Sequence, residues 1–189
     1  MRTDRFTIVL DANVIAGALP RNILLSFAEA GFFRPRWSKQ ILDEFHGYFV
    51  KRYGDEETAD RQRQNMMAAF PEALVEGHEV LIDALKLPDE DDRHVLACAI
   101  KTKASVIVTD NLKDFPNDAL IEYEIEAISL DDFVADTLDL GGAEAIYVIK
   151  KMRQRFANPE LTAEELILRI EKCGMVETSK ILAEYSELI

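Results

Sequence analysis

Five carboxylates in four separate stretches of this 189-residue chain stand where a carboxylate can do chemistry. Asp11 closes the apolar run FTIVL, and Glu44 lies seven residues past Trp37 in a helical pattern. Asp91 and Asp92 end the acidic turn LPDEDD, and Asp114 follows the run VIVT. Ligand oxygens drawn from several segments suit a hard divalent cation, Mg2+ or Mn2+; zinc would call for histidine or cysteine, which the chain does not place nearby. A carboxylate-held cation with open positions binds a phosphodiester oxygen, activates a water and offsets charge on the leaving oxygen. The chemistry to expect is therefore metal-assisted phosphodiester hydrolysis. Each acid also has a plainer use: strand-end aspartates form turns, a helix-flank glutamate faces water, and one acid before a helix caps it. Four acids at 89–92 exceed what capping needs, and their repulsion asks for a cation.

The elements that must position these groups are legible from periodicity. The stretch 6–15 (FTIVLDANVI) is short enough for one buried strand, and in a parallel sheet ligands bind beyond the carboxyl ends of strands. That puts Asp11 in a functional position, with Asn13 placed to orient it or a bound water. Residues 21–31 read as a helix stopped by glycine, and FFRPRW as a turn of the chain. Ser38 is an N-cap for a helix whose apolar face is Ile41, Phe45, Tyr48 and Phe49. A helix over 55–70 sends Met66, Met67 and Phe70 to the core; Pro71 ends it, and 79–82 reads as a short strand.

The next helix, 92–101, carries an apolar stripe of Val95, Leu96, Ala99 and Ile100, with His94 either surface or structural. It leads into strand 106–109, and Thr109, Asp110, Asn111 and Asp114 fall just past that strand's end. A βαβ connection makes this strand parallel to its neighbours and puts both acidic strand ends on one edge. A strand over 125–128 and a short helix from Asp131 follow. Gly141-Gly142 marks a boundary: residues 1–140 form an α/β nuclease-like domain and 141–189 a helical extension. Its helices are 143–156, 161–173 and 178–188, the second entered through a Thr162/Glu165 capping box. Ile146, Ile149, Met152, Leu166, Ile167 and Ile170 form its buried face.

Composition bounds the partners. A formal net charge of −13 is the wrong sign for holding polyanions by bulk electrostatics, so nucleic acid binding must be local or metal-assisted. Arg21, Arg34, Arg36, Lys39 and Lys113 lie near the acidic motifs and can guide a phosphate backbone. No apolar run reaches the roughly 18 residues of a membrane span and no secretory signal appears, so a cytoplasmic protein with no membrane partner is expected. Cys98 and Cys173 lack the companions of a zinc site or disulfide framework and read as small core residues. No glycine-rich phosphate loop follows the first strand, which disfavours a nucleotide-binding or phosphotransfer domain.

VLDANVI, WSKQILDEF, DDRHVLACAI and VIVTDNLKDFP, in that order, resemble the successive motifs of PIN-domain nucleases, and among them VapC-type ribonuclease toxins. The resemblance covers roughly the first three quarters of the chain; the helices after it resemble extensions of some PIN proteins. It implies an α/β/α sandwich with a central parallel sheet and an acidic pocket for Mg2+ or Mn2+. It also implies single-stranded RNA as substrate and often a small antitoxin protein as partner; a homodimer is a further option. By the same resemblance Asp11, Glu44, Asp92 and Asp114 are the catalytic acids, with Asp91 an alternative to Asp92. Asp11, Asp92, Asp114, Asp91 and Asn111 are the candidate metal ligands, supported by Asn13, Thr109 and Asp110. Asn111 stands where many relatives carry aspartate, and Asp110 where they often carry a basic or neutral residue. Two other functions fit the same motifs: a PIN-like module without catalysis that binds a basic protein, and a housekeeping RNA-processing nuclease.

Overall fold

Unbroken β-branched and aliphatic runs make the central strands, and amphipathic segments between them make the helices. The computed structural model describes residues 6–157 and 159–189. In chain order these form β1 (Thr7–Leu10), α1 (Ala12–Ala16), α2 (Ala18–Ala30), β2 (Arg34–Ser38), α3 (Lys39–Tyr53), α4 (Glu56–Ala69), β3 (Leu74–Val75), α5 (Glu79–Ile82) and α6 (Arg93–Thr102). There follow β4 (Val106–Val108), α7 (Asn117–Leu120), β5 (Glu126–Ile128), α8 (Leu130–Gln154), α9 (Ala163–Lys172) and α10 (Val176–Glu184). Short 3-10 turns cover Leu112–Asp114 and Ile121–Tyr123. The residues group into two compact units, one running to Ala16 and resuming over Phe33–Ile128, the other made of Gly17–Phe32 and Ser129–Ile189.

The first unit is built on a five-stranded sheet of order β3-β2-β1-β4-β5, parallel throughout. Its centre is apolar: Ile8, Val9, Leu10, Ile107 and Val108 are fully buried. Helix α6 packs across β1, β2, β3 and β4, and α3 packs on β2. The chain leaves β1 toward β2 on one side and β4 on the other, so the strand order reverses between β1 and β4. The crevice beyond their carboxyl ends is the place where open α/β sheets bind ligands. Ser38 caps α3, its hydroxyl accepting from the Ile41 N–H at 3.1 Å. A parallel sheet flanked by helices and followed by a helical region is the expected fold class.

Several local expectations are corrected. FFRPRW is no turn, because its last residues form β2. The Arg34 N–H bonds to Phe6 on β1 and the Trp37 N–H to Ala73 beside β3. Since donors alternate along a strand, the donor that Pro35 lacks falls on the β3 side before β3 begins to pair. Residues 79–82 are a single helical turn, α5, with Val80 84% exposed; the edge strand is Leu74–Val75 instead. The buried row of α3 runs Ile41, Phe45, Phe49, with rings 6.1 Å apart at the last pair, and leaves Tyr48 exposed. Met66 is buried, Met67 is exposed and Phe70 is half-buried, edge-on to Trp37.

The second unit contains α2, α8, α9 and α10, with α8 packed against α2 and α10, and α10 against α9. Ile146, Ile149, Met152, Leu166 and Ile170 are buried and Ile167 is half-buried. The capping box forms in both directions, Thr162 Oγ1 accepting from Glu165 and the Glu165 carboxylate accepting from Thr162. The helix from Asp131 is not short: α8 runs 25 residues, with non-helical φ 51° and ψ −130° at Gly142. At the preceding Gly141, a Cβ would collide with Phe32 Cε1 and lie 2.8 Å from the Ala145 Cβ, so only glycine admits this approach. Cys98 is buried, whereas Cys173 is exposed past the end of α9, where no apolar stripe continues to cover it. No helix among the described residues is long and apolar enough to cross a membrane.

Candidate functional site

Asp11 leaves β1 at the switch point, and its backbone N–H still bonds to Val108 on β4. Its side chain is 5% exposed and accepts three hydrogen bonds: from the Ala12 N–H at 2.6 Å, Asn13 Nδ2 at 2.7 Å and the Thr109 hydroxyl at 2.7 Å. Burial pushes its carboxyl above the usual range, the Thr109 and Ala12 bonds pull it back, and the Glu44 charge adds to the rise. Asn13 and Thr109 thus support Asp11, and they bond to each other at 3.0 Å. The Asp110 N–H bonds to Asn13 Oδ1 and the Asn111 N–H to Thr109 Oγ1, which stitches the loop after β4 to the β1 end.

Beside this frame, Asp89, Asp92 and Asp114 each bring a carboxylate oxygen within 4.8 Å of the other two. Asp92 precedes α6, and Asp114 is buried in the 3-10 turn after β4. A small octahedral cation with ligand bonds near 2.1 Å places its ligand oxygens about 3 to 4.2 Å apart, so a small side-chain adjustment closes the three on one ion. The donor set, all oxygen, fits Mg2+ or Mn2+. Burial pushes the Asp92 carboxyl up to about 6, with the charges of Asp11, Asp89 and Asp114 adding and His94 opposing. The Asn111 amide points at Asp92 Oδ2 from 3.5 Å, and Lys113 Nζ lies 3.7 Å from Asp114 Oδ2.

Of the predicted site residues, Asp92 and Asp114 are therefore side by side, Asn111 faces them, and Asp11 is engaged by its own donors while sharing their field. Asp91 is exposed and outside the group; its N–H bonds back to Asp89 Oδ1 at 2.9 Å, and Asp89, itself exposed, is the acid of this turn whose carboxylate lies beside Asp92 and Asp114. Glu44 extends from α3, with Oε1 3.2 Å from the Gln40 amide and 3.0 Å from His94 Nε2. Two residues were missed from sequence. Asp89 was hidden among four adjacent acids, and the surplus of acids was its only signal. His94 takes the structural option: at 2% exposure it abuts Glu44, yet neither ring nitrogen has a well-aligned hydrogen bond. Of the flanking bases, Lys39 is paired with Asp43 and Arg21 is buried.

Two family profiles and a curated relative match parts of the chain. Residues 7–113 match the family profile described as PIN domain, and residues 130–184 match the profile of the VapC50 C-terminal domain. A Mycobacterium tuberculosis protein named "Putative ribonuclease VapC50" is 47% identical over 76 residues. That match takes in 40% of this chain and 45% of the relative's length, so the chain spans less than half of that curated relative. No solved structure matches the chain.

Proposed function

Because the chain belongs to the PIN domain family, we propose that it is a Mg2+- or Mn2+-dependent endoribonuclease that hydrolyses single-stranded RNA, the toxin of a toxin–antitoxin pair. The observation that carries the reading is the meeting of Asp89, Asp92 and Asp114 beside the buried Asp11 at the sheet's switch point. Asp92 and Asp114, with Asp89, would hold the cation, and Asp11, fixed by Thr109 and Asn13, would bound the pocket on the β1 side. A bound divalent ion supplies charge for the scissile phosphate and a polarised water. Asp92 must be ionised to act as ligand, so cation binding releases its proton at and below about pH 6. Glu44, exposed, bonded by the Gln40 amide and near enough to Asp11 for its charge to act there, can accept a proton from an entering water. Lys113 offers one local positive charge to the RNA backbone in a chain whose overall charge opposes it.

The name of the relative supports the ribonuclease class, and the matching C-terminal region supports the VapC-type branch, which brings in a small antitoxin as partner. Incubation of an unstructured RNA with the protein and Mn2+ tests the reading. Parent protein cleaves, EDTA stops it, and Asp114→Asn loses cleavage while remaining folded; cleavage that persists in Asp114→Asn overturns the site. A non-catalytic module is favoured only by Asn111, an amide facing Asp92 at a position where the resemblance implies an aspartate in many PIN nucleases. Absence of metal-dependent cleavage by the parent would select it.

A further inference from the structure

A cavity of about 530 Å3 lies in the first unit, lined in part by Lys86, Pro88, Pro116, Asp118, Glu122 and Tyr123. It shares two loops with the carboxylate group: Pro88 immediately precedes Asp89, and Pro116 is two residues past Asp114. Its volume falls within the range of small-ligand sites. The walls are more polar than apolar: exposed Lys86, Asp118 and Glu122 surround a half-buried tyrosine ring and two proline rings. Phosphate is a poor occupant, because Asp118 and Glu122 outnumber Lys86 and repel it. An aliphatic ligand is equally poor, since it would strand both carboxylates.

From the ring surfaces, the acidic lining and the shared loops we propose that this cavity is a nucleobase subsite, adjoining the cation centre, that selects guanine in the RNA. The proposal rests on the ribonuclease reading for its substrate. Tyr123 and the prolines provide faces on which an unstacked base can lie, the usual way single-stranded RNA is gripped. A carboxylate at the base edge wants two adjacent donors. Guanine presents N1–H and N2–H side by side; adenine, cytosine and uracil each set an acceptor beside their donor on that edge. Asp118 can therefore take guanine in a two-point contact that the other bases break, while Glu122 accepts from the Tyr123 hydroxyl and holds the ring.

The test uses the full chain and a panel of short oligouridine RNAs that carry one G, A or C at a fixed position. Two readouts are taken: cleavage with Mn2+, and fluorescence anisotropy of the labelled RNA in Ca2+. The single-G RNA is expected to bind more tightly than its A and C counterparts by about tenfold, the scale of one two-point base contact. The Mn2+ cut should keep a fixed distance from that G. Tyr123→Ala should weaken single-G binding by roughly 5- to 150-fold, as loss of one base–aromatic stack does, and Tyr123→Phe should restore it. The double variant Asp118→Asn/Glu122→Gln should keep the stack and lose the preference for G. Melting curves of each variant confirm the fold, which partly exposed positions leave intact. Binding and cleavage that ignore the base, and do not change in Tyr123→Ala, overturn the subsite and leave the nuclease standing. G-selective binding without any cleavage overturns the nuclease reading and keeps the base subsite. Neither binding nor cleavage overturns both.

Discussion

Replacing Asp92 by asparagine is expected to make the metal-free protein more stable, not less. Its carboxyl is pushed from 3.8 to about 6, so at neutral pH the folded state carries a charge that the unfolded chain bears more easily. A rise of about two pH units corresponds to a ceiling of about 3 kcal/mol, which solvent at this half-buried group reduces to about 1–2 kcal/mol. Asparagine keeps the shape and can still accept from the Asn111 amide, and Asp92 caps α6 through no side-chain bond that would be lost. The sign is checked by pH. Between about 4 and 6 the native state holds a proton that the unfolded state has released, so this contribution to stability falls as pH rises through that window. The advantage of Asp92→Asn over the parent should therefore be full above about pH 7 and vanish below about pH 4. Trp37, the single tryptophan, is fully buried in strand β2, so its fluorescence in urea melts with EDTA reports this unit. Adding Mn2+ reverses the order, since an ion bound only by the folded state stabilises the parent by about 2.7 kcal/mol at a hundred times its Kd. A variant no more stable than the parent in EDTA, or one with an undiminished Mn2+ shift, refutes the repulsion argument.

Asp11→Asn should abolish RNA cleavage but, unlike Asp92→Asn, lower metal-free stability by about 1–3 kcal/mol, because an amide NH2 would face donors from Asn13 and Thr109; equal melts would refute this. His78 is buried, and burial holds its imidazole below 6.5. The unfolded state therefore takes the proton first, so stability is full above about pH 6.5 and falls by up to about 1.4 kcal/mol per pH unit below it. His78→Gln should flatten that slope in acid urea melts. Gly141→Ala should destabilise α8 by about 1–3 kcal/mol through collision with Phe32, visible as an earlier loss of helical circular dichroism, whereas an unchanged melt would show that Phe32 moves away freely.

Local sequence determined much of the scaffold. Continuous apolar runs made β1 and β4, the Ser38 and Thr162 caps opened α3 and α9, and acids at strand ends followed from the parallel connection between those strands. Each of these features is written within one or two turns of chain, where periodicity and capping act. What the sequence left open depended on partners far along the chain. RPRWS carries no strand alternation and becomes β2 because β1 offers it a ladder and β3 begins only after Pro35. Asp89 and Asp91 are the same residue type two positions apart and both exposed; the turn between them decides that Asp89 lies beside Asp92 and Asp114 and Asp91 does not. His94 looked like an ordinary helix residue until α3 brought Glu44 to within 3.0 Å of it. Asp11 is buried and held by a hydroxyl 98 residues away as well as by Ala12 and Asn13, so its pKa was set by the assembled sheet edge and not by its sequence neighbours alone. Burial and hydrogen bonding are properties of the assembled sheet edge, and an acidic residue acquires its role only when that edge decides how many donors and how many charges surround it.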